Sequence, residues 1–112
     1  STAITDASAS SGGGGSSITY SRRQVAANIT ASVDDTILGI TTTNNIEIKL
    51  APAQDLDAGQ YMTIKKEVNT TNEITISASG SQTIDGANSV VLKSPHAALN
   101  LYSNGVNAYF IY

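Results

Sequence analysis

Few side chains in this sequence can do chemistry, and their spacing limits what they can do. His96 is the single histidine and cysteine is absent, so no CxxC pair and no Cys/His zinc set can form. Ser94-Pro95-His96 has no nucleophile elbow beside it, which removes the usual hydrolase triad and leaves His96 as a turn residue. Asp34-Asp35 and Asp55-Leu56-Asp57 offer oxygen ligands. The spaced acids and closing glutamate of a calcium loop are missing, so they read as solvated loops. Glu67 and Glu73 flank the turn Asn69–Asn72, where two carboxylates facing each other would suit acid–base work, but no pocket signal accompanies them. Four glycines, Gly12 to Gly15, lack the Gly-Lys-Ser/Thr and the preceding strand of a phosphate loop. Asn28-Ile29-Thr30 and Asn69-Thr70-Thr71 fit the glycosylation pattern, as chance allows in a chain rich in Asn and Thr. The census gives no catalytic, cofactor-binding or metal residues, and the expectation is a protein that is not an enzyme.

Tyrosines remain. Tyr61, Tyr102, Tyr109 and Tyr112 carry rings that stack on sugars, and equally rings that pack against a sheet. Tyr61 and Tyr102 are the candidates for a glycan contact.

The elements that would position them are strands. Charged residues make up 13% of the 112 positions, about half the usual share. Ser, Thr and Asn take their place on the wet faces, which favours strands and turns over helices. Ile46, Ile48 and Leu50 alternate with Glu47 and Lys49, and Met62 and Ile64 continue in phase, the mark of strands with one dry face. Strands are expected at Gln24–Thr30, Thr36–Thr41, Asn45–Leu50, Gln60–Val68, Glu73–Ala78, Gln82–Ile84, Ser89–Lys93, Ala97–Ser103 and Val106–Tyr112. One helical turn fits around Ala53–Ala58. Asn104-Gly105 is the strongest hairpin signal, because a type I′ turn needs two positive φ angles, and Asp85-Gly86 is the second. The fold class is all-β, a small antiparallel β-sandwich or jelly-roll-like domain over residues 18–112. Residues 1–17, Ser/Gly-rich, read as a flexible arm or linker. The expected interior is Ile37, Ile40, Ile46, Ile48, Leu50, Met62, Ile64, Ile74, Ile76, Ile84, Leu92, Leu99, Leu101 and Phe110.

Partners follow from charge and surface. The net charge of −3, with no basic cluster beyond Arg22-Arg23, argues against nucleic acid. No apolar run reaches the roughly 18–20 residues that span a bilayer, and no signal-peptide pattern opens the sequence. The closing Tyr109-Phe110-Ile111-Tyr112 is apolar on both faces. A small core without disulfide or metal, and a strand wanting cover on both sides, point to a homo-oligomer with Tyr109, Ile111 and Tyr112 at the contact.

Four blocks in order carry a resemblance: Leu50-Ala51-Pro52-Ala53, Ala58-Gly59-Gln60-Tyr61-Met62-Thr63-Ile64-Lys65, Thr83-Ile84-Asp85-Gly86, and Ser103-Asn104-Gly105 leading to Ala108-Tyr109. From Gln24 to Tyr112 the chain resembles a β module of viral, mainly bacteriophage, fibre and spike proteins. It departs in the extra Ala51 before Pro52 and in having Ala108-Tyr109 where the family usually has tryptophan. The resemblance implies a non-enzymatic virion structural protein (fibre, spike or capsid decoration module) on the virion exterior. It further implies self-assembly as a trimer, docking on a capsid or tail protein through the arm, and a role in host attachment. The alternative is a lectin-like β-sandwich that binds carbohydrate, such as a host-surface glycan.

Overall fold

The computed structural model describes residues 21–112. The arm expected over 1–17, and the first three residues of the domain expected from 18, lie outside the described residues. Ten strands follow: β1 (Arg22–Val25), β2 (Ile29–Thr30), β3 (Ile37–Ile40), β4 (Ile46–Lys49), β5 (Tyr61–Lys66), β6 (Ile74–Ser77), β7 (Thr83–Ile84), β8 (Ser89–Leu92), β9 (Ala98–Ser103) and β10 (Ala108–Ile111), with one 3-10 turn at Ala53–Asp55. The all-β expectation is borne out, and each expected strand contains an observed one. Gln24–Thr30 splits in two, because the chain turns at Ala26–Asn28 and crosses from one sheet to the other.

Antiparallel pairing throughout is corrected. The larger sheet runs β1-β3-β5-β9-β10-β7 and the smaller β2-β4-β6-β8. β1, β3 and β5 are parallel to one another, as are β2, β4 and β6. From β1 to β9 successive strands alternate between sheets, and the first six wind through three coils of two strands each. A jelly roll is built from antiparallel strands, and these ladders do not follow it. Only β8 on β6, β9 on β5 and β10 on β9 are antiparallel, and they close the downstream side of the coils. Sequence signals for this winding exist: Thr42-Thr43-Asn44-Asn45-Ile46-Glu47-Ile48 and Thr70-Thr71-Asn72-Glu73-Ile74-Thr75-Ile76 share Thr-Thr-Asn-x-Ile-x-Ile, and their isoleucines are register partners.

Alternation puts every second side chain inside. Ile48 sits between Ile29 and Ile76, Ile46 pairs with Ile74, and Leu38, Ile64 and Leu99 form a row across the larger sheet. These side chains belong to one apolar cluster shared by both sheets. Twelve of the fourteen expected core residues are buried; Ile37 and Phe110, at 40% and 36% exposed, face outward instead. Leu38 and Tyr109 take the interior positions beside them.

Lys66 is the one charged side chain that is fully buried among the described residues. It continues the inward phase of Met62 and Ile64 and lies in register with Ile40, itself beside Val25. Its ammonium donates to the carbonyl oxygens of Thr70 (2.9 Å), Asn72 (2.7 Å) and Lys93 (2.8 Å). Those bonds tie the turn after β5 to the end of β8, while burial lowers the lysine's pKa.

The type I′ geometry expected at Asn104-Gly105 is found at Asp85-Gly86 instead. Asp85 and Gly86 both have positive φ (49° and 86°), and Ile84 and Ala87 exchange backbone bonds across them, the two-residue pattern of a type I′ turn. Between β9 and β10 only Gly105 has positive φ. There the loop is longer and is organised by Asn104, whose Oδ1 accepts from the N–H groups of Val106, Asn107 and Ala108.

Ile48→Ala and Leu101→Ala are each expected to cost roughly 2–5 kcal/mol in urea unfolding; an unchanged midpoint in both would refute the register. Lys66→Met fills the space but strands three carbonyls, at about 1–3 kcal/mol for each that water does not reach. Because the folded-state pKa of Lys66 is the lower one, the unfolded chain binds the extra proton. Wild-type stability should therefore rise relative to Lys66→Met as pH climbs from the folded pKa toward the unfolded value near 10.4, measured as paired unfolding curves.

Candidate functional site

A strand in the middle of a sheet offers its outward side chains in rows, one from each neighbour. On the outer face of the larger sheet, Tyr61, Tyr102 and Phe110 are direct cross-strand partners on β5, β9 and β10. The next row holds Ile37, Thr63 and Asn100, and Tyr112 joins it through a bond from its N–H to the Asn100 carbonyl. Tyr102 is the centre: its ring lies 5.6 Å from Phe110 and 5.9 Å from Tyr112, tilted to both. Tyr61 is 59% and Tyr112 62% exposed. Thr63 Oγ1 donates to Asn100 Oδ1 at 2.9 Å, a side-chain hydrogen bond within the second row. No charged side chain stands among the rings, and the second row ends in Arg22 on β1, the register partner of Ile37.

Charge begins farther along the same face. Arg22 on β1 reaches across β3 to Glu67 through two bonds, one from Nε at 2.9 Å and one from Nη2. The pair lies directly over Gly39, where a Cβ would meet Glu67 Oε2 at 2.3 Å and push the flexible ends of both side chains aside. That hydrogen bonding, with charge attraction behind it, lowers the Glu67 pKa and raises that of Arg22.

The expected contact residues divide. Tyr61 and Tyr102, the glycan candidates, are adjacent on this face, and Tyr112 shares it. Tyr109, expected to meet a partner, is corrected: it is 1% exposed and its hydroxyl donates to the Ala51 carbonyl at 2.8 Å. Ile111 pairs with the inward Leu101 and is 37% exposed at the strand's end, so it lies off the aromatic rows. The strand's parity is therefore opposite to expectation, with Phe110 and Tyr112 outward. An odd–even count from the buried Ala108-Tyr109 block does not resolve it, since four successive apolar residues show no alternation.

The other candidates stay apart. His96 is an exposed turn residue with φ 56°, its N–H bound to Val68 and its carbonyl to Lys65 Nζ. Asp35 accepts from Arg23 and from the Ser32 N–H, closing a loop. Glu67 is held by Arg22, while Glu73 precedes the smaller sheet with Lys93 at 4.0 Å, so they do not form a carboxylate pair. Among the described residues no three His, Asp or Glu side chains gather as metal ligands. The open hollow lined by Asn28, Asn45, Glu47, Glu73 and Thr75 is already committed: Asn28 Oδ1 accepts from the Glu47 N–H and Asn45 Oδ1 from the Glu73 N–H.

Comparison adds no relative. No protein-family model, curated protein or solved structure matches the chain. What the described residues bring together is thus an aromatic surface on the outer face of the larger sheet.

Burial, with the charge of Asp55 adding to it, pushes the Tyr109 phenol up to about 12. The unfolded phenol ionises near 10, so Tyr109's share of stability is complete below about pH 10 and falls as pH rises toward 12. Tyr109→Phe should lose that alkaline slope, along with about 0.5–1.5 kcal/mol at neutral pH, in unfolding curves taken across the range.

Proposed function

We propose that this chain is a non-enzymatic structural β module of a virion appendage (fibre, spike or capsid decoration) that self-associates through the aromatic face of its larger sheet. The observation that carries the self-association is the row Tyr61–Tyr102–Phe110 with Tyr112 beside it, uncharged and, apart from the half-buried Tyr102, exposed. Large apolar patches of this kind mark contact surfaces, and aromatic residues are enriched in the cores of such contacts. The virion setting, the exterior location and the number three rest on the resemblance read in the sequence, and the sandwich description on the spacing of its strands and turns. In that reading the residues 1–17 join the module to a capsid or tail protein.

A second reading is favoured by one feature. Asn100 and Thr63 put an amide and a hydroxyl beside the rings, the combination of stacking surface and hydrogen-bonding groups that a carbohydrate takes. Tyr61 and Tyr102 would then contact glycan.

Light scattering across micromolar concentrations separates the two. Self-association through this face predicts an oligomeric mass that falls in Tyr112→Glu while the melting temperature holds, because an unpaired charge at the contact is costly and one at a free surface is not. A monomeric wild type overturns it. A monomer whose glycan-array signal disappears in Tyr61→Ala and Tyr102→Ala is a lectin.

A further inference from the structure

Each of the two sheets has two edges, and three of the four are guarded. β1 carries Arg22 and Arg23, and both β2 and β7 are two residues long. Charge and shortness are the usual means of stopping an edge from recruiting another strand. β8 has neither. It is the four-residue Ser89-Val90-Val91-Leu92, uncharged and β-branched at its centre, with Val91 51% exposed.

The direction of its backbone groups follows from the ladder. Ala78 donates to the Asn88 carbonyl at 2.8 Å, and Ser77 opposes Ser89 one step on. Hydrogen-bonded and non-bonded pairs alternate in antiparallel strands, so Val90 and Leu92 spend their N–H and C=O groups on Ile76 and Ile74. Ser89 and Val91 turn theirs outward, and among the described residues no strand pairs with that side.

We propose that β8 is a second self-association site, at which two copies pair their β8 strands antiparallel about a two-fold axis through Val91 and join their smaller sheets into one of eight strands. The occupant is argued from the strand itself. In this register Val91 opposes Val91 and Ser89 opposes Lys93, so the exposed valine gains apolar cover and no like charges meet. An identical strand presents its outward N–H and C=O groups at the matching spacing. The edge belongs to the smaller sheet and the aromatic face to the larger, so the two contacts stand or fall separately.

Proline at position 91 tests it cleanly. The Val91 N–H points away from β6, so Val91→Pro removes a donor from the edge and none from the internal ladder; proline is tolerated on edge strands for this reason. Val91→Lys is the companion, charging the edge without touching the backbone. Both are made in a Tyr112→Glu background, which silences the aromatic face. Sedimentation velocity should show a concentration-dependent dimer that either substitution weakens by about tenfold or more, equivalent to ~1.4 kcal/mol. Amide exchange of the parent Tyr112→Glu protein should slow at Ser89 and Val91 as concentration rises. A mass indifferent to both substitutions, a parent protein monomeric at every concentration, or exchange at Ser89 and Val91 that ignores concentration overturns the proposal.

Discussion

Alternation of wet and dry side chains is the constraint on which this structure depends, and Lys66 is where a charge obeys it. The inward phase of β5 runs Met62, Ile64, Lys66, so the third member must go where the first two go. A bare ammonium there would be prohibitively costly. Three carbonyls from the turn after β5 and the end of β8 surround it instead. The same contact thereby fixes where the third coil hands over to the closing strands. Position of the charge and path of the chain are one problem with one solution.

The aromatic face grows from the same rule applied to the other side of the sheet. Because Met62, Leu101 and Tyr109 are turned in, Tyr61, Tyr102 and Phe110 must be turned out, and their strands are neighbours. The charged end of that face depends on Gly39, which leaves room for Arg22 to cross β3 and reach Glu67. One end of the sheet is thus latched to itself by an ion pair, and the other is left smooth and uncharged. A contact surface and a closed surface share one plane, divided by which residues the rows happen to present.

Much of this was legible in the sequence. Period-2 patterning located β4, β5, β6 and β9, since it reports directly on which side chains leave water. It is silent about partners: Ile46-Glu47-Ile48 looks the same whether its neighbour is parallel or antiparallel. The parallel coils needed the recurrence of Thr-Thr-Asn-x-Ile-x-Ile to be noticed. Tyr109 was misplaced because Tyr109-Phe110-Ile111-Tyr112 has no polar residue to mark its parity. Asn104-Gly105 did join two antiparallel strands, yet Asn104 serves the turn with its side chain and not with a positive φ. Tyr61 and Tyr102 were legible as a pair because both lie in strands with clean alternation.

The order in which the coils and their cover occur in the chain has a consequence for how the molecule is made. β9 and β10 come last, yet Leu99, Leu101 and Tyr109 complete the core, and β9 is the strand that closes the open side of β5. A chain emerging from the ribosome therefore holds three coils with the open side of β5 uncovered until β9 and β10 are free. Pairings so distant in sequence also form slowly. The interval between synthesis of β6 and docking of β9 is the period in which such nascent chains are most prone to join one another in the wrong way.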